Sequence, residues 1–240
     1  MFKFKSKVAP LDSHHVPAPR NWYSRYCCNS IFHKNAYTPH VDLKDMTYQQ
    51  KNQEFLKHEL HGILIVVDDS FSVIKKIRHL SIMKTYENYI SDSCFDKNIE
   101  TNDWKNKGLA WDIVGTYAIV YAGDGDIALH VMKSLSAETS TVLLSDQQMQ
   151  RTNGDALIRE AMLLHTRPTA IAIHSAIEGG KNNPEFLQFF QQYPEVGFIT
   201  KPNQKEVADF LQLNFFSKII MPSEISSDNT GQTLSPNISH

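Results

Sequence analysis

Five short apolar runs, each separated from the next by a stretch with helical spacing, constrain this chain more than any other feature. The runs fall at 62–67, 117–122, 141–145, 169–174 and 196–200. Continuous apolar runs of this length, without polar alternation, suit strands buried on both faces of a sheet. Phe71, Ile74, Ile77 and Arg78 fall on a first helix between them, Ile127, Ala128 and Val131 on a second, and Ala156, Leu157 and Met162 on a third. Phe186, Leu187 and Phe190 mark a fourth, and Val207, Phe210 and Leu211 a fifth.

Strict alternation predicts an α/β fold: a flavodoxin-like, doubly wound, five-stranded parallel sheet with five helices, in strand order 2-1-3-4-5, plus an N-terminal extension. Ligands of such sheets bind beyond the carboxyl ends of the strands, where the strand order reverses. Residues 1–60 are expected to form the extension, weakly ordered because Pro10, Pro17, Pro19 and Pro39 interrupt any period, with a helix near 45–61 capped by Thr47 or Asp45. The sheet domain is expected over 61–218 and a disordered tail over 219–240, rich in Ser, Asn and Pro. One interval is too long for its role. From Ser70 to Thr116 a single crossover helix needs about a dozen residues, yet the chain spends 47. Either the first helix is extended or a surface insertion lies near 84–116.

Composition narrows the function classes. The chain has 240 residues, 41% of them hydrophobic, enough for a substantial core. A formal net charge of -2 offers no electrostatic footprint for nucleic acid, so direct nucleic-acid binding is not expected. Three cysteines, Cys27 and Cys28 adjacent and Cys94 distant, make no disulfide framework and suit a reducing cytoplasm. Ala9, Pro10, Asp12 and His14 break any signal-peptide core, and no run has membrane-spanning length. The expected location is cytoplasmic, without membrane contact.

The polar residues that end the apolar runs carry the chemistry. Asp68-Asp69 closes the first, Asp146 the third, Ser175 the fourth and Lys201-Pro202 the fifth. Mg²⁺ prefers hard oxygen ligands and takes one or two carboxylates alongside phosphate oxygens. A carboxylate can attack phosphorus when charge repulsion is screened. Phosphoryl transfer is then mostly a matter of positioning and electrostatics, to which a lysine and a hydroxyl contribute. Asp146 is the expected nucleophile, with Lys201 and Ser175 as cation and hydroxyl donor.

In this order of acid pair, acid, hydroxyl and Lys-Pro, the chain from about Gly62 to Phe216 resembles the receiver domains of two-component response regulators. Met149, Gly154 and the stretch Ala122-Gly123-Asp124-Gly125-Asp126-Ile127-Ala128-Leu129 also match that family. The resemblance implies Mg²⁺ held by Asp68, Asp69, Asp146 and the carbonyl of Gln148, and a phosphoryl group accepted by Asp146 from a sensor histidine kinase or histidine phosphotransfer protein. It implies a switch made of Ser175 and Phe198, and contact with a downstream protein or a homodimer through the fourth helix, fifth strand and fifth helix. Such a chain catalyses its own phosphorylation and dephosphorylation and turns over no external substrate. Gln150 departs from the family's usual proline and is expected to loosen the loop after the acceptor. Gln148 and Ile177 occupy the positions that tune dephosphorylation. After the fifth helix about twenty residues remain, too few for an output domain, so output through protein contact is expected.

Other readings fit less of the chain. A phosphorylation-independent scaffold acting through the N-terminal arm or the insertion is the alternative. A haloacid-dehalogenase-type phosphatase needs Asp-x-Asp, which Asp68-Asp69-Ser70-Phe71 lacks. His14, His15, His33 and His40 with Cys27 and Cys28 lack metal-ligand spacing. His174 and Ser175, as successive strand residues, face opposite sides of the sheet and make no nucleophile-base pair. Gly123-x-Gly125 lacks the third glycine of a dinucleotide fingerprint.

Overall fold

The computed structural model describes residues 46–95, 104 and 108–219. The expectations for residues 1–45, for the clustered histidines and Cys27 and Cys28 within them, and for the tail after Ile219 lie outside the described residues. Seven strands form one sheet: β1 (Gly62–Val67), β2 (Ile90–Ser93), β3 (Leu109–Val114), β4 (Tyr117–Ala122), β5 (Ser140–Ser145), β6 (Ala170–Ser175) and β7 (Gly197–Thr200), in the order β2-β3-β4-β1-β5-β6-β7. The five apolar runs are the parallel part. Taken alone, β4-β1-β5-β6-β7 has the expected order 2-1-3-4-5.

The expected count of five strands is corrected by two that pair antiparallel at the β4 edge. β3 and β4 are a hairpin joined by Gly115-Thr116, with Gly115 at φ 60°, where a side chain would be strained. The interval expected to hold an extended helix or a surface insertion thus widens the sheet.

Seven α-helices are described rather than five: α1 (Tyr48–Phe55), α2 (Phe71–Arg78), α3 (Ser81–Tyr86), α4 (Gly125–Ser134), α5 (Gly154–Ala161), α6 (Leu187–Gln192) and α7 (Gln204–Asn214). α1 is shorter than the expected 45–61. It starts in a capping box, Gln50 N–H donating to Thr47 Oγ1 and Thr47 N–H to Gln50 Oε1. It ends at Phe55, with Leu56 as C-cap donating its N–H to the Asn52 carbonyl, and the Phe55 ring packs on Trp111 of β3 at 5.6 Å. It also contacts α4, through Tyr48 with His130 and Asn52 with Ser134.

α4 packs against α5, and Arg159 of α5 stacks over Phe189 and Tyr193 beside α6. α3 packs against both α2 and α7. Layers on both sides explain why every residue of β1 and β3 is buried. No helix among the described residues is long and apolar enough to cross a membrane.

A buried polar cluster fastens the added strands. Asp112 of β3 is 1% exposed and receives Arg78 of α2 in a two-pronged contact, Nε to Oδ2 at 2.8 Å and Nη2 to Oδ1 at 3.1 Å. The hydroxyls of Tyr121 on β4 and Ser93 on β2 donate to the same carboxylate. One acid therefore joins β2, β3, β4 and α2.

Candidate active site

Asp68 follows β1, Asp146 follows β5 and Lys201 follows β7, so parallel register brings their side chains to one end of the sheet. The strand ladder continues into the site. Asp68 N–H donates to the Ala122 carbonyl, Asp146 N–H to that of Val67, and Lys201 N–H to that of Ser175. Backbone hydrogen bonding therefore holds the three chain segments in step beyond the last strand residues.

Lys201 Nζ lies 2.7 Å from Asp68 Oδ2 and 2.9 Å from Asp146 Oδ2, bridging two buried carboxylates. Asp68 Oδ1 accepts the N–H of Ser70, and Asp146 Oδ1 that of Gln147. Asp68, Asp69 and Asp146 each present an oxygen within 4.8 Å of the others. Cis and trans oxygens around octahedral Mg²⁺ are about 3 to 4 Å apart, given Mg–O lengths of about 2.1 Å. Three carboxylate oxygens gathered at one end of the sheet have the hard-oxygen chemistry that Mg²⁺ takes.

Burial, reinforced by the Asp146 charge, raises the Asp68 pKa to about 6 against the opposing pull of Lys201 and the Ser70 N–H. Burial works against the Lys201 ammonium, but Asp68 and Asp146 outweigh it and its pKa is raised. The lysine is therefore a fixed cation at neutral pH, and binding of a cation to the acids also relieves the Asp68 carboxylate.

Ser175 is the last residue of β6, buried and in register with Thr200, which precedes Lys201. Asp69 is half-buried and Gln148 exposed. The half-buried Phe198 ring packs edge-on to Phe190 at a centroid distance of 6.0 Å, on the strand that ends in the lysine. Asp68, Asp146 and Lys201 are thus in direct contact, Asp69 is beside them, Ser175 is one strand away, and Phe198 lies farther along β7.

The loop after Asp146 is braced at both ends. The Gln147 side chain donates to Asp155 Oδ1 and accepts the Asp155 N–H, while Gly154 N–H donates to the Gln147 carbonyl. Asn153 Oδ1 accepts the Met149 N–H. Asp124, fully buried at the start of α4, accepts the N–H groups of Arg151 and Thr152. These contacts tie the loop to the starts of α4 and α5. Sequence reasoning named Asp124 only within the 122–129 stretch and gave it no role of its own, though an acid next to Gly125 at the opening of a helical stretch is a cap signal.

His174 lies on the other face of β6 from Ser175, and lines an apolar cavity with Val73, Ile77, Pro202 and Val207, between α2 and α7. Burial, with Lys201 adding to it, lowers its pKa to about 4. The unfolded chain then binds a proton on this residue near pH 6.5 that the fold resists down to pH 4, so the contribution to stability is whole at neutral pH and falls as pH drops through that window. The raised Asp68 pKa has the opposite slope. In urea unfolding, wild type is expected to lose about 2 kcal/mol between about pH 7 and about pH 5 that His174→Leu retains, the Asp68 contribution being common to both. Parallel pH dependences in the two proteins would refute the buried neutral imidazole.

No family model matches the chain, and no curated relative does. Among solved structures, the chain is similar to the chemotaxis response regulator CheY4 of Vibrio cholerae, at 18% identity over 63% of this chain and 97% of that one, with a TM-score of 0.41. It is also similar to a CheY-like receiver domain protein of Methanospirillum hungatei (18% identity, 65% and 96% covered, TM-score 0.39) and to a receiver domain protein of Clostridium thermocellum (12%, 65% and 96%, TM-score 0.41).

Proposed function

We propose that the chain is a phospho-accepting receiver that takes a phosphoryl group onto Asp146 and signals by protein contact. The observation that supports this best is Lys201 bridging Asp68 and Asp146, with Asp69 close by, at the carboxyl ends of β1, β5 and β7. Such a group is set up to gather phosphoryl oxygens around one buried carboxylate.

An Asp146 oxygen attacks the phosphorus of a phosphohistidine or a small acyl phosphate. The new O–P bond forms as the bond to the donor breaks, and the leaving group departs with the bonding electrons. Lys201 balances charge on the transferred oxygens, and the Ser175 hydroxyl donates to one of them. Mg²⁺, held by Asp68, Asp69, Asp146 and the Gln148 carbonyl, would supply the charge neutralisation that lets two anions meet. Movement of Ser175 toward the phosphoryl group frees space for Phe198 to rotate, altering the surface of α6, β7 and α7. That surface is where a downstream protein or a second copy docks, and a histidine kinase or phosphotransfer protein is the donor.

Incubation with acetyl phosphate and Mg²⁺ is expected to add the mass of one phosphoryl group, with no gain when the metal is chelated. An unmodified intact mass across donors and divalent cations would reject the proposal.

A second reading has its own observation. β2 and β3 widen the sheet and are fastened to α2 by Asp112 and Arg78, so the chain could serve as a scaffold whatever its phosphorylation state. Partner capture that is equal for wild type and Asp146→Asn would favour it.

A further inference from the structure

Trp104 belongs to the long interval between β2 and β3, and its side chain reaches the acid pair. The indole Nε1–H donates to the backbone carbonyl of Asp68 at 2.9 Å, and the side chain is fully buried. That carbonyl lies one residue past the end of β1, where the ladder that fixes Asp68 N–H to Ala122 has finished. It is also half of the peptide unit joining Asp68 to Asp69. Whatever holds this carbonyl sets the direction in which the Asp69 carboxylate leaves the chain.

The indole is itself held firmly. Its ring packs against Phe71, the first residue of α2, with centroids 5.1 Å apart and planes at 42°. The Trp104 carbonyl accepts the Gly108 N–H, and the Gly108 carbonyl accepts the Gly123 N–H, both at 2.7 Å. A chain of hydrogen bonds therefore runs from the end of β4 through Gly108 and Trp104 to the acid pair. The seat depends on glycine: a Cβ at Gly123 would come within 2.1 Å of the Trp104 carbonyl oxygen.

We propose that Trp104 is a positioning residue for the cation site, fixing the Asp68–Asp69 peptide so that the two carboxylates stay aimed at one ion. This rests on the receiver reading above. Supports one layer out from a metal typically change its affinity about ten- to a hundredfold when removed. Trp104 acts through backbone rather than on a ligand atom, which puts the effect at the lower end.

Calorimetric titration of the full chain with Mg²⁺ reads this directly. Trp104→Phe keeps an aromatic ring against Phe71 and removes the donor; it is expected to bind Mg²⁺ about tenfold more weakly than wild type. Gly123→Ala, which keeps the indole but displaces it, is expected to weaken binding in the same direction. A chain carrying Trp22→Phe and Trp111→Phe leaves Trp104 as the sole indole, and its emission is expected to change on Mg²⁺ addition along the calorimetric isotherm. Unchanged affinity in Trp104→Phe, or a sole-tryptophan chain that binds Mg²⁺ with no change in emission, would overturn the positioning role alone. Failure of wild type to bind Mg²⁺ would remove the receiver reading and this inference with it.

Discussion

Asp146→Asn is expected to abolish phosphoryl uptake from acetyl phosphate while leaving the fold at least as stable. Asparagine keeps the size of the side chain and one oxygen, so the Gln147 N–H retains an acceptor. It loses the anionic oxygen that must form the bond to phosphorus, and no nearby group replaces it in that geometry.

Stability moves the other way. Two buried carboxylates facing one ammonium repel each other, and part of the rise in the Asp68 pKa comes from the Asp146 charge. Neutralising Asp146 removes that repulsion, while Lys201 keeps its 2.7 Å partner in Asp68. The melting curve in metal-free buffer is expected to match or exceed wild type, with the change within about 1 kcal/mol. Intact-protein mass spectrometry under saturating donor and Mg²⁺ measures uptake, and thermal unfolding measures the rest. Residual phosphorylation at the wild-type level would move the acceptor elsewhere, and a large loss of stability would show that the carboxylate is chiefly structural.

What was legible in the sequence divides along physical lines. β1, β4, β5 and β6 are buried almost throughout and β7, though a half-buried edge strand, keeps Phe198 and Ile199, so each reads as an apolar run, and the polar residue that closes four of the five is easily seen. Asp68, Asp146, Ser175 and Lys201 stood out for that reason. β2 did not, because Ile90-Ser91-Asp92-Ser93 is a short edge strand, and an edge exposed to water carries polar residues. β3 was hidden by Asp112, an acid in the middle of Leu109–Val114 whose partner, Arg78, lies 34 residues away in sequence. The Gly115-Thr116 link was the available signal, since a two-residue loop with glycine between apolar runs suggests a hairpin. Trp104 carried no periodic signal, set among Asn102, Asp103, Lys105 and Asn106. Its partner is a backbone carbonyl, a group common to every residue, so its contact with the site becomes visible only in three dimensions.

The same hidden acid yields the largest expected change in stability. Arg78→Leu is expected to destabilise the chain by about 3 kcal/mol, because it removes the counter-ion of Asp112 while that carboxylate remains buried. Tyr121 and Ser93 would still donate to it, but two hydroxyls solvate a buried charge less well than a forked guanidinium does. The substitution also removes the guanidinium from the Phe95 ring, 4.5 Å below it, a contact that contributes about 0.5 to 1 kcal/mol. Arg78 side-chain exposure of 22% keeps the expected loss at the lower end of the range for a broken buried pair. Replacing both partners separates charge from packing: Arg78→Leu with Asp112→Leu is expected to recover much of the loss, since apolar groups of similar volume can take the place of a buried ion pair. Urea unfolding of the single and double variants measures the difference. If Arg78→Leu unfolds with wild type, Asp112 is being satisfied without the arginine, and the fastening of β2 and β3 to α2 must lie in the aromatic contacts around Phe95 instead.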